Sequence, residues 1–182
     1  MNKIGIFFAE GYEEVEALTV VDLCRRAGLE VELVSITEDR VVKSSHGIDV
    51  GMDKTFSQAD FSAYDMLVLP GGMPGTRNLE AHEGLMTQID AFYKDGKYIG
   101  AICAAPSIFG HRGILKGKKA CCYPTFESHL EGAEVTQSPV ELSGNVITSR
   151  GMGTAIAFGL AIVEVFEGRE QAEALAKTIV YG

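Results

Sequence analysis

Residues 98–110 read YIGAICAAPSIFG. A β-prone run from Tyr98 to Ile102 ends at Cys103, and small residues then open a helix. Strand, sharp turn and helix form the repeating unit of a parallel sheet covered by helices. The alternation recurs on both sides, with further strands predicted over Ile4–Phe8, Val31–Ile36, Met66–Leu69, Lys119–Cys122 and Val146–Thr148. Helices are predicted over Glu14–Ala27, Leu85–Lys94 and Thr154–Phe166, ended by Gly28, Gly96 and Gly168, with a last one over Glu170–Ile179. Between Val41 and Val50, VVKSSHGIDV has two short β-prone pieces around a turn and predicts a hairpin inserted beside the main sheet.

Length and composition bound what such a chain can do. Its 182 residues, 46% hydrophobic, suit one domain spanning 1–182 with a proper core. Sixteen basic against 25 acidic residues leave a net charge of -9, which argues against nucleic acid as a partner. The N-terminal stretch has neither the long apolar region nor the cleavage site of a signal peptide, and no segment reaches membrane-spanning length. The expectation is a cytoplasmic protein. Cys24, Cys103, Cys121 and Cys122 lack zinc-site spacing and are expected as free thiols.

Cys103 is the candidate reactive group. An elbow of this kind forces a strained backbone on its nucleophile, so the residues two before and two after must be small. Here they are Ala101 and Ala105. A thiol facing free N–H groups at a helix N-terminus is expected to have a lowered pKa. The same residues also fit a buried thiol at a strand end.

Two further stretches converge on that edge of the sheet. After Met66–Leu69 comes PGGMPG, whose glycines let backbone approach a ligand and offer N–H donors. Gly72 and Ala104 N–H are the oxyanion-hole candidates, with Gly71 as a pocket residue. The first strand leads into AEGYEEVEA, whose acids disfavour phosphate there. Glu16 shares a helical stripe with Val20, Leu23 and Ala27, and Glu13 lies one turn before it, so phase leaves both open. A carboxyl group beside a thiolate works only if desolvation keeps it protonated. SRGMGTAIAFG has Ile156 where a dinucleotide-binding turn needs its third glycine, so no nucleotide is expected. His46, His82, His111 and His129 are scattered, and spacing assigns none of them as a base for Cys103.

With these residues in view, the chain resembles the ThiJ/PfpI superfamily, most closely its DJ-one branch of parkinsonism-associated deglycases. The resemblance rests on AEGYEEVEA, LCRRAG, VLPGG, GAICAAP and TSRGMGTAIAFGLAIVE. It implies a flavodoxin-like three-layer α/β sandwich of the class I glutamine amidotransferase-like type, forming a homodimer. It further implies Cys103 as an oxidation-sensitive nucleophile, and it prefers Glu16 over Glu13 as the protonated partner. The implied activity is a glyoxalase or deglycase without metal or cofactor, acting on methylglyoxal, glyoxal or their early adducts. The alternative is a redox sensor or protective chaperone working through Cys103 oxidation. Ala104 stands where the protease-like branch has histidine, so a Cys–His peptidase is not expected. Tyr123 replaces a histidine of some relatives, and His46 replaces an arginine. Both are kept as possible pocket residues.

Overall fold

In the computed structural model, which describes residues 2–182, β1 (Lys3–Phe8) buries every residue from Ile4 to Phe8. Its side chains alternate between two cores, Phe7 in one and Ile6 and Phe8 in the other, as a strand covered on both faces requires. After it come α1 (Glu14–Arg26), β2 (Glu30–Ser35), β3 (Val41–Lys43), β4 (Asp49–Gly51), β5 (Lys54–Thr55) and β6 (Met66–Leu69). The middle of the chain forms α2 (Gly75–Ala81), α3 (Glu83–Lys94), β7 (Tyr98–Ile102), α4 (Pro106–His111) and β8 (Lys119–Ala120). The last third forms β9 (Glu134–Val135), β10 (Val140–Ser143), β11 (Val146–Ser149), α5 (Ala155–Glu167) and α6 (Arg169–Thr178).

Seven strands make one sheet in the order β10-β11-β7-β6-β1-β2-β5. All neighbours are parallel except β10, which pairs antiparallel with β11 at one edge. One core takes Ile89 and Phe92 of α3 with Ile108 and Phe109 of α4; the other takes Val20 of α1 with Phe158 and Ile162 of α5. The result is the expected α/β sandwich with helices on both faces. The hairpin is also present, β3 against β4, outside the main sheet.

One expected strand is cut short. The run Lys119–Cys122 is extended only over its first two residues and pairs with β9 in a separate ribbon. Cys121 leaves the strand because its N–H bonds the Thr148 hydroxyl at 3.0 Å, so Cys121 and Cys122 do not alternate across a sheet. His82 caps α3 by accepting the Leu85 N–H at 3.0 Å, with its ring against Phe56. Among the described residues, no helix is long and apolar enough to cross a membrane.

Candidate active site

Because β11, β7, β6 and β1 are adjacent and parallel, their carboxyl ends bring four turns to one edge of the sheet. These turns carry Arg150–Gly151, Cys103, Gly71–Gly72 and the start of α1. At the second of them Cys103 has φ +67°, a left-handed conformation that few side chains adopt. Its N–H donates to Ser149 O at 3.0 Å and its carbonyl accepts the Tyr123 N–H at 2.8 Å, so neighbouring segments hold the strained residue from both sides. Ala101 and Ala105 are fully buried, which leaves the elbow no space for larger flanking groups.

Glu16 meets this residue from α1. Its backbone N–H donates to Glu13 Oε2 at 2.7 Å in the N-cap bond. That bond commits Glu13 to the helix end and turns Glu16 inward, where it is 1% exposed. Gly71 N–H donates to Glu16 Oε2 at 3.0 Å. Position 71 cannot carry a side chain, since a Cβ there would lie 2.5 Å from Cys103 Cβ and 2.6 Å from Glu16 Oε2. Gly72, at φ +92°, then turns its N–H toward the sulfur.

Burial raises the Glu16 carboxyl to about 7, against the lowering effect of its bonds to Cys103 and the Gly71 N–H. Burial, and then the Glu16 charge, also push the Cys103 thiol up, and the N–H groups of Ala104 and Gly72 only partly offset this. The lowered thiol pKa expected from the sequence is therefore corrected. Burial outweighs those N–H donors, including the Ala104 N–H at the start of the turn into α4, and the desolvation is invisible in sequence. Two acids packed this closely titrate as a pair, so the first proton lost near neutrality belongs to the pair rather than to either residue alone. The remaining thiols fit core roles. Burial pushes Cys24 and Cys122 up to about 12 and raises Cys121 as well.

Tyr123 is 48% exposed, and its ring stands over Gly151. A Cβ built on Gly151 would sit 3.3 Å from that ring and 3.9 Å from Glu16 Oε1, so Gly151 separates the two. A groove of about 340 Å³ opens here, lined by Tyr123, Pro124, Arg150, Gly151, Met152 and Thr154. In sequence this turn reads as a failed nucleotide motif and as part of the family-like stretch TSRGMGTAIAFGLAIVE, and neither reading makes it a wall of the pocket; its glycines, following a strand beside β7, are the usable signal. His46 is not brought to the thiol; its exposed ring lies with Nδ1 2.9 Å from Oε1 of the buried Glu14 in the first turn of α1. Glu13, Glu14 and His46 could each offer a ligand atom to a metal ion, but Glu13 is already engaged as the cap.

The chain matches the DJ-1/PfpI family over residues 2–165. It is 37% identical over 181 residues to protein DJ-1 homolog B of Arabidopsis thaliana, covering 98% of this chain but only 41% of that longer protein. The glutathione-independent glyoxalase DJ-1 of Schizosaccharomyces pombe is 31% identical, with 98% of each chain covered. Among solved structures, Toxoplasma gondii DJ-1, oxidized, superposes with a TM-score of 0.95 at 34% identity over the whole of both chains. On the family match over residues 2–165 and on relatives 31% and 37% identical over nearly the whole of this chain, the chain belongs to the DJ-1/PfpI family.

Proposed function

We propose that this protein is a cofactor-free glyoxalase, and a deglycase toward early adducts, acting on small reactive carbonyls such as methylglyoxal. The observation that carries the reading is the pairing of Cys103, at φ +67°, with a buried Glu16 raised to about 7. A general base is most effective with a pKa near the working pH. As the sulfur attacks the aldehyde carbon, the thiol proton passes to Glu16 and the carbonyl oxygen becomes an alkoxide. Gly72 and Ala104 N–H groups stabilise that charge, an effect worth about 3 kcal/mol per donor in established oxyanion holes. Glu16 then protonates the alkoxide, and a proton moves from the former aldehyde carbon to the ketone carbon through an enediol. The product is a lactoyl thioester, which water cleaves to lactate and the free thiol. The oxidation of one carbon is matched by reduction of its neighbour, so no external oxidant enters.

The assay is lactate formation from methylglyoxal with EDTA present and glutathione absent. Turnover undiminished by the chelator is expected; no lactate under these conditions would end the reading. A second reading, a redox sensor or protective chaperone, draws support from the oxidized state of the Toxoplasma relative. It uses the same cysteine, with the Glu16 carboxyl donating to a sulfinate oxygen.

The protein also acts, in this reading, as a homodimer. A groove of about 450 Å³ on α1 and α5 is lined by Val15, Leu18, Leu23, Ile156 and Ile179. Val15 is 43% and Ile156 37% exposed, an apolar face suited to a second copy. Sedimentation is expected to give twice the chain mass for the wild type and a single chain mass for Val15→Glu. A monomeric wild type removes the dimer from the proposal.

A further inference from the structure

The segments that build the site are joined a second time, at their far ends. Helix α2 leaves the Gly71–Gly72 turn and carries Glu80, while α4 leaves the Cys103 elbow and ends at His111. The segment that bonds Cys103 through Tyr123 runs by turn hydrogen bonds, Phe126 N–H to Tyr123 O and His129 N–H to Phe126 O, into a 3-10 turn at Glu127–His129. There His111 Nδ1 lies 2.6 Å from Glu80 Oε1, and His111 Nε2 lies 2.9 Å from His129 Nδ1. The two imidazoles meet edge to face at 5.1 Å, and the Phe126 ring packs against His129.

We propose that Glu80, His111 and His129 are positioning residues, a latch that fixes the Tyr123–His129 segment against the site and releases it when the histidine pair takes up two protons. The valences dictate this behaviour. Ionised Glu80 only accepts, so His111 donates from Nδ1 and keeps a lone pair on Nε2, into which the His129 Nδ1–H donates. One added proton makes His111 a donor at both nitrogens. His129 then shifts to the tautomer with a bare Nδ1, and both bonds survive. A second proton sets N–H against N–H between two cations, and the bond between the imidazoles breaks. The bond from His111 to Glu80 persists, so the His129 end comes free.

Several other charges surround the latch. Arg112 follows His111, feels the Glu80 charge and is held by Asp90 of α3 in a two-bond ion pair. On the segment itself, Glu127 lies toward Cys122 and Glu131 follows in the chain. His111 and Glu80 are each about one-third exposed, at 32% and 36% of the side chain, so solvent protons reach them. Loss of one hydrogen bond of this kind shifts an opening equilibrium about fivefold.

The chain contains no tryptophan, so Tyr123→Trp in the full-length protein places a single tryptophan, excited selectively beyond the absorption of the remaining tyrosines, at the start of the segment. Acrylamide quenching of that residue is expected to rise between about pH 8 and about pH 5, the range in which histidine switches operate. With His129→Asn, whose amide keeps a donor near the Nδ1 position and takes up no proton, quenching is expected to stay flat at the pH 8 level of the half-exposed wild-type site. With His129→Ala it is expected to be high at both ends. Since the Trp replacement could itself disturb the segment, hydrogen exchange of the Phe126, His129 and Leu130 amides in the Tyr123 protein, corrected for intrinsic pH dependence, provides a second measurement. The same ordering of wild type, Asn and Ala variants is expected there. A pH profile shared by wild type and His129→Asn in both measurements overturns the latch, whatever chemistry Cys103 performs.

Discussion

Cys103→Ser is expected to lower lactate production from methylglyoxal by at least about a thousandfold, the scale on which enzymes lose activity with their nucleophile. The substitution changes little else. Serine is nearly isosteric, takes the same place at φ +67° between the Ser149 carbonyl and the Tyr123 N–H, and leaves Gly71 its close fit. What changes is acidity. An alcohol is a far weaker acid than a thiol and its oxygen a much poorer nucleophile than sulfur, so in a site shaped for thiol attack with Glu16 as base the first step slows severely. Equal turnover in the two proteins would remove Cys103 from the mechanism. The same pair of proteins examines the redox reading. Mild peroxide followed by mass spectrometry should add two oxygens to the wild type at Cys103 and none to the serine variant. Even oxidation across all four cysteines would argue against a sensor, because Cys103 is half-buried whereas Cys24, Cys121 and Cys122 are buried, and selective chemistry should favour the accessible thiol.

Those parts of the site that depend on short-range sterics could be read directly from the sequence. The alanines flanking Cys103 announce an elbow because nothing larger fits across such a turn, and the φ of +67° is the conformation they permit. The glycines at 71 and 72 likewise mark a turn where backbone closes on a neighbouring group. Helical phase, by contrast, left Glu13 and Glu16 equal. What separates them is the N-cap bond from the Glu16 N–H to Glu13 Oε2, a detail of where α1 begins. The direction of the thiol pKa was misread for a related reason. An approaching helix suggests a favourable dipole, but the desolvation that outweighs it comes from residues distant in the chain. Helix α2 was missed because it follows directly on a Gly- and Pro-rich turn, and β10 because Val140–Ser143 is a short edge strand with Leu142 53% exposed. The pairing of His111 with His129 lies 18 residues apart across a loop, where no periodicity operates.

Glu16→Gln should make the protein less active and, above neutrality, more stable. The folded state raises this carboxyl from 4.5 to about 7, so between those values the native protein binds a proton that the unfolded chain has released. Stability therefore falls as pH rises through that window, by up to about 3 kcal/mol in all, because ∂ΔG/∂pH follows the protons bound in the unfolded minus the native state. Glutamine has no such proton to lose. Its side-chain oxygen can still accept the Gly71 N–H, which donates to Glu16 Oε2 at 3.0 Å, and its amide can donate toward the sulfur. Urea denaturation of the two proteins should consequently agree near pH 4.5 and diverge toward pH 8, with the variant the more stable, the difference approaching the same 3 kcal/mol. Turnover should move the opposite way, by about a hundredfold to ten-thousandfold, since the group that carries the proton between sulfur and substrate is gone. A stability difference that does not change with pH would mean that Glu16 is not desolvated as its burial requires, and the general-base role would fall with it. The opposed signs follow from one cause: burial that makes the ionised carboxylate costly to fold also brings its pKa to the value at which it can exchange protons with Cys103.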